Sequence, residues 1–260
     1  MRPSALREPW PRIALFSDVD GTLLDARDRF ALTPDEVLRM APDVELILSS
    51  SRTVAELAVL QRRLGLAGPL IAENGAVIAF PARWRGSAST RREVVPLGQP
   101  AVGLVPRIHR CAERVGVSVV NQKRLLPDGG RSLRRGYSVC LLDWPGPSAE
   151  RFIRCLAREG LEGSRSGTWI TITSGPHKGT GVRAILARAR ELGAPFTRVV
   201  AVGNAANDRP LLAAARTRFV IRNPRMGHDA DLVDLPGVTL LRTSGRRAWR
   251  DLLDHTLRRP

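Results

Sequence analysis

Short apolar runs alternate with amphipathic stretches along most of this chain. Ile13-Ala14-Leu15-Phe16 is apolar throughout and stops at the polar cluster Ser17-Asp18-Val19-Asp20-Gly21-Thr22, the pattern of a buried strand running into a loop. Thr33-Pro34 predicts a helix start with a cap and a first-turn proline, and residues 44–48 (VELIL) predict a second buried strand. Over residues 53–64 apolar positions recur with helical period and halt before Gly65. Leu70-Ile71-Ala72 and residues 76–79 then flank the turn Glu73-Asn74-Gly75. A β-α-β-α-β opening of this kind predicts a parallel sheet covered by helices.

From about Pro81 the pattern changes to segments rich in Gly, Pro, Ser and Arg, with helical periodicity over residues 100–115 and 148–159 and strand-like runs over 117–120 and 137–142. Core character is expected to return with TWITIT at 168–173. A helix over 178–192, a strand over 198–202, a helix from about 208 to 215 and a strand over 219–221 follow. The reading is an α/β protein: a Rossmann-like, doubly wound parallel-sheet core built from residues 1–81 and 168–260, interrupted by an α+β module over 82–167.

A chain of 260 residues has room for such a core and a smaller insert, and its 43% hydrophobic and 25% charged residues are ordinary for a globular protein. No apolar run approaches the roughly 20 residues needed to cross a bilayer. The early arginines are followed by a stretch broken at Glu8, Pro9, Pro11 and Arg12, which does not read as a signal peptide. Cys111, Cys140 and Cys155 are widely spaced without a CxxC pair, against both a disulfide framework and a zinc site, and the expected compartment is the reducing cytoplasm. The net charge of +16 raises nucleic acid as a partner. The arginines, however, are scattered in pairs, no long basic block stands out, and aromatics are only 5%, so small anionic molecules are the expected partners and nucleic acid is not. Only Lys123 and Lys178 are lysines, and a lysine retained among so many arginines points to a site that needs a compact charge.

Ligands of an open parallel sheet sit at the carboxyl ends of its strands, and four chemically loaded segments are expected there. Asp18 and Asp20, one residue apart after the first strand, can supply a nucleophile and an acid/base, with a backbone carbonyl left for a cation; a polar turn or helix cap is the plainer alternative. A calcium loop does not fit, because Gly21 falls at loop position four and Arg29 at twelve. The hydroxyls of Ser49-Ser50-Ser51-Arg52-Thr53 lead into a helix, suiting either a phosphate or a simple cap. In Gly175-Pro176-His177-Lys178-Gly179 the lysine could neutralise a carboxylate and a phosphoryl group together, or be an exposed first-turn residue, while His177 reads as a loop histidine. Gly203-Asn204-Ala205-Ala206-Asn207-Asp208 offers an amide and a carboxylate as oxygen ligands for a hard cation such as magnesium.

In order and spacing these four segments resemble the motifs of the haloacid dehalogenase-like phosphatase superfamily: DVDGT the first, SSR the second, HKG the third and GNAAND the fourth. ENGAVI at residues 73–78 looks like the entry to the large cap of the members that hydrolyse sugar phosphates. SSSRT-x-AEL, RRGYS near Tyr137 and KG-x-x-VRAIL are most similar to mannosyl-3-phosphoglycerate phosphatases. The resemblance implies that Asp18 attacks phosphorus to give an aspartyl-phosphate and that Asp20 protonates the leaving oxygen and then activates water. It implies that Ser50 binds phosphoryl oxygens, that Lys178 holds nucleophile and phosphate, and that Asp18, the Asp20 carbonyl, Asn204 and Asp208 hold Mg2+. Ser51, Arg52, Asn74, Arg135, Tyr137 and Asn207 are expected to contact the substrate, with Arg134 and Arg165 as further partners for an anionic tail. Two positions depart from the pattern. Arg52 stands where lysine is frequent, and Asn204 stands where an aspartate is usual, so an amide oxygen without charge faces the cation and a protein with weakened turnover is the competing expectation.

Overall fold

The computed structural model describes residues 10–84, 91–125, 135–144 and 146–258. The chain begins β1 (Ile13–Ser17), α1 (Pro34–Met40), β2 (Val44–Ser49), α2 (Val54–Leu64), β3 (Leu70–Ala72), β4 (Val77–Phe80) and β5 (Glu93–Pro96). It continues α3 (Ala101–Val115), β6 (Val139–Leu142), α4 (Pro147–Arg158), β7 (Glu162–Ser166), β8 (Trp169–Thr173) and α5 (Lys178–Glu191). The last elements are β9 (Arg198–Gly203), α6 (Arg209–Ala213), β10 (Thr217–Ile221), α7 (Ala230–Val233), β11 (Val238–Leu241) and α8 (Gly245–Arg258).

Eight strands form the core sheet in the order β11-β10-β9-β1-β2-β3-β4-β5. It is parallel from β11 across to β3 and antiparallel only at β4 and β5, so the parallel, helix-covered core read from the alternating pattern is present. The uninterrupted apolar runs follow from burial on both faces. In β1, Ile13 and Leu15 pack with Leu46, Leu48, Phe219 and Trp249 on one face, while Ala14 and Phe16 pack with Ile47, Ile71, Val182 and Leu211 on the other. The caps are also where the polar residues predict them. Thr33 opens α1 and Thr53 opens α2, each in a reciprocal capping box with the glutamate three residues on, and α2 closes at Gly65 in the left-handed conformation.

The inserted module is a three-stranded antiparallel sheet, β6-β8-β7, with α3 and α4 packed through Leu104, Ile108, Cys111, Phe152 and Leu156 onto Val139, Leu141, Ile170 and Ile172. Three expectations need correction here. TWITIT is not a core strand: it is β8, the central strand of the module. Residues 93–96, expected inside the insert, form the edge strand β5 of the core sheet. The module therefore lies between β5 and α5 rather than over 82–167. Residues 117–120 form no strand; the Val120 carbonyl accepts one bond from Leu142 N at 2.8 Å, and Asn121 makes a single bridge to Leu141. For TWITIT and residues 93–96 the reason is the same, since apolar periodicity reports burial and leaves open which sheet a strand joins, while residues 117–120 lie partly exposed and find no strand to pair with along their length.

The chain's last helix reaches back to the first loop. Trp249 on α8 is fully buried, and its Nε1 donates to the Thr22 carbonyl at 2.9 Å. Trp249→Ala is expected to cost about 3–5 kcal/mol by cavity formation. Trp249→Phe should lose distinctly less, as read by equilibrium urea unfolding.

Candidate active site

Ser17, the last residue of β1, lies opposite Leu48 of β2 and Val202 of β9, so three strands end together at one edge. Beyond β1, Asp18 donates its backbone N–H to the Val202 carbonyl at 3.0 Å, and the chain then turns sharply as the N–H groups of Leu23 and Leu24 both reach the Val19 carbonyl. The turn leaves Asp18 buried and Asp20 half exposed.

The centre of the site is a buried ion triad. Lys178, the first residue of α5, is fully buried, and its Nζ lies 2.6 Å from Asp18 Oδ1 and 2.6 Å from Asp208 Oδ1. Asp208 is equally buried, and its Oδ2 accepts from the backbone N–H groups of Asn204 at 2.9 Å and Ala205 at 3.2 Å. The close approach requires Gly203, where a Cβ would lie 2.5 Å from the Asp208 Cβ. Two carboxylates share one ammonium. Burial, and then the Asp208 charge, push the Asp18 carboxyl up to about 7 against the pull of Lys178. Burial alone would lower the Lys178 ammonium, but the two carboxylates outweigh it and hold its pKa above the ordinary lysine range.

Around the free oxygen of Asp18 the surroundings are neutral and polar. The Asn204 side-chain amide sits 3.2 Å from Asp18 Oδ2, 3.0 Å from Thr22 Oγ1 and 3.2 Å from the Asp20 carbonyl oxygen, and the orientation that satisfies all three turns its NH2 group toward them. Asp20 points to Arg52, whose Nε and Nη2 hold its two oxygens at 3.0 and 2.6 Å. Ser50 is buried behind this pair, its Oγ accepting from Arg52 N at 3.2 Å. Thr53, not Ser50, caps α2, so the hydroxyl expected to serve either a phosphate or a cap is free of the capping task. His177 caps α5 through Nδ1, which accepts from Thr180 N at 3.2 Å.

Other expected contacts lie at the seam between core and module. Arg135 Nη1 donates to the Ser51 carbonyl at 2.6 Å, and Tyr137 packs its ring on the core. Ser51 is half-buried. Asn74 is buried beside the site, its backbone N–H bonded to the Ser50 carbonyl at 2.9 Å, and its Oδ1 has no hydrogen-bond partner among the described residues. Asn207 lies half-buried in the turn Ala206–Asp208, which strand β7 packs against. Arg165 on β7 is exposed and pairs with Asp143 at 2.8 Å, and Arg134 lies outside the described residues. Thr22, Glu73 and Ser138 belong to this region without having been singled out from the sequence. The signal for Glu73 was a carboxylate placed between two apolar runs.

Two oxygens beside Asn204 suit a small hard cation, Asp18 Oδ2 with its charge and the neutral Asp20 carbonyl, and the Asn204 amide would add its oxygen to them only by turning its NH2 group away. Asp208, expected among the cation's ligands, has both oxygens engaged, one by Lys178 and the other by two backbone N–H groups.

Residues 15–87 match the model of the haloacid dehalogenase-like hydrolase family. Over the whole chain, the fold is similar to that of a Thermoplasma acidophilum protein, with a TM-score of 0.68, 15% identity, and 94% of this chain and 97% of that one covered. It is likewise similar to the sucrose-phosphatase of Synechocystis in complex with sucrose and phosphate, with a TM-score of 0.64, 14% identity and coverage of 94% and 98%. A haloacid dehalogenase-like hydrolase from Bacteroides thetaiotaomicron gives 0.62, 15%, 94% and 98%. The family match lies within residues 15–87, and the fold shared with these solved structures extends over nearly the whole chain.

Lys178→Met leaves two buried carboxylates facing each other and is expected to cost about 3–5 kcal/mol at pH 7 by urea unfolding. The raised Asp18 pKa has its own signature in metal-free buffer. The folded value of about 7 exceeds the ordinary 3.8, so this group's contribution to stability is present at low pH and lost as pH rises through that window. Asn escapes the loss. The melting temperature of Asp18→Asn relative to wild type is therefore expected to climb between about pH 4 and pH 7 and to level off above.

Proposed function

We propose that the protein is a magnesium-dependent phosphomonoesterase acting on a phosphorylated sugar or glycosyl-glycerate, of the kind handled by mannosyl-3-phosphoglycerate phosphatases. The observation that carries the reading is the Asp18–Lys178–Asp208 triad, which presents one buried carboxylate at the edge of the sheet beside a second, half-exposed carboxylate. A carboxylate oxygen of Asp18 attacks phosphorus, the phosphorus–oxygen bond to the sugar breaks, and Asp20 gives the leaving oxygen its proton. Water then attacks the aspartyl-phosphate, Asp20 takes a proton from it, and inorganic phosphate leaves Asp18 free. Lys178 neutralises Asp18 and the phosphoryl group, Ser50 donates to a phosphoryl oxygen, and Arg52 fixes the rotamer of Asp20. Asp18 and the Asp20 carbonyl would hold magnesium, joined by the Asn204 oxygen once that amide turns its NH2 group away, and the ion would supply further charge neutralisation.

The substrate class rests on three supports. The motif resemblance is one. A second is the sucrose-phosphatase of the same fold, which was solved with sucrose and phosphate. The third is the pair of guanidinium groups, Arg52 and Arg135, where the module meets the core, suited to an anionic tail. A second reading, a phosphate-binding protein with slow turnover, is favoured by one observation: the Asn204 NH2 group faces Asp18 and the Asp20 carbonyl where an acidic side chain would add charge.

Asp18→Asn is expected to abolish hydrolysis of p-nitrophenyl phosphate and of every active member of a panel of phosphorylated sugars and glycosyl-3-phosphoglycerates. Residual turnover above background in that variant would refute the nucleophile. Asn204→Asp should raise magnesium affinity about tenfold by calorimetry, through added ligand charge. An inactive wild type made active by this change would favour the slow-turnover reading.

A further inference from the structure

The carboxylate of Glu73 is spent entirely on the inserted module. Glu73 follows β3 of the core and is buried at 3% exposure. Its Oε1 accepts from Gly136 N at 2.9 Å, and its Oε2 accepts from Tyr137 N at 2.9 Å and from Ser138 Oγ at 2.8 Å. Three donors from the module thus enclose one anion from the core, two of them consecutive backbone N–H groups. The side it comes from is strained to deliver it: Glu73 and Asn74 have φ of 50° and 59°, a conformation that non-glycine residues adopt at a cost. Gly75, with φ of 95°, is pressed so closely against the start of α5 that a Cβ there would lie 2.1 Å from the His177 carbonyl oxygen. The backbone of this strained turn is bonded to the loop after β2, Glu73 N to the Arg52 carbonyl at 2.8 Å and Asn74 N to the Ser50 carbonyl at 2.9 Å.

We propose that Glu73 is the latch that holds the inserted module closed over the site. The module meets the core elsewhere through β7 against Ala206–Asp208, β8 against Glu73–Gly75 and Arg135 on the Ser51 carbonyl. Opening separates the buried carboxylate from all three donors at once and returns it to water. Among these contacts the Glu73 cluster is the one built on a buried carboxylate, and its link to the Ser50–Arg52 loop ties closure to the part of the site beside Asp20. The latch is a property of the free protein and does not depend on the reaction proposed above.

Site-resolved hydrogen exchange on wild type, Glu73→Ala, Glu73→Gln and Ser138→Ala tests it. In the Ala and Gln variants the Gly136 and Tyr137 amides are expected to exchange at least tenfold faster, with a smaller acceleration in Ser138→Ala and unchanged rates in β1. The Gln variant is the discriminating one, because it keeps the volume of Glu73 but loses its charge and aims an NH2 group at N–H donors. Protection in Glu73→Gln equal to wild type overturns the proposal. So does unchanged exchange at 136 and 137 in every variant, or an acceleration shared equally by β1, which would make Glu73 part of the general stability of the fold.

Discussion

A single ammonium group, buried without access to water, decides how the ends of three elements meet. Lys178 could not lie at the base of the site unpaired, because an isolated buried charge of this kind costs several kcal/mol. The end of β1 brings Asp18, the turn after β9 brings Asp208, and the first turn of α5 brings the lysine, so the triad pins these segments to one another at 2.6 Å. The rest of the local design serves that contact. Gly203 clears space for Asp208, two backbone N–H groups occupy its second oxygen, and Gly75 admits the start of α5. Only one oxygen of Asp18 is left facing the outside of the triad.

The electrostatics of the site are leaner than a pair of extra carboxylates would make them. With both carboxylates ionised the triad carries one net negative charge, Arg52 covers Asp20, and Asn204 contributes a dipole where an acid would contribute a charge. Some of the arginines are committed to ion pairs within the fold. Arg83 pairs with the buried Glu45, Arg188 with Glu93, Arg110 and Arg114 with Glu159, and Arg246 with Glu36. Such partially exposed pairs add little stability each.

The inserted module has its own core and a sheet separate from that of the main domain, and among the described residues it meets the main core through the Tyr137 ring and a set of polar contacts. Apolar packing sets the module's internal rigidity, and a few hydrogen bonds, most of them on Glu73, set how it sits on the core.

The linear order of residues was enough to place most of the core. Strands β1, β2, β9 and β10 are apolar runs between loops, and α1 and α2 carry their own caps in Thr33 and Thr53. The four loaded segments around Asp18, Ser50, Lys178 and Asn204 were legible for the same reason, since strand-end loops concentrate chemistry. Tertiary structure alone decided the rest. TWITIT and EVVP are both short β-forming stretches, and only the available partners assign the first to the module and the second to the core sheet. The direction of a side chain is likewise a matter of neighbours. Asp208 turns to Lys178 and its own loop, and Glu73 reaches across to residues more than sixty positions away, because a buried carboxylate settles wherever donors converge, and convergence exists only once the chain has folded.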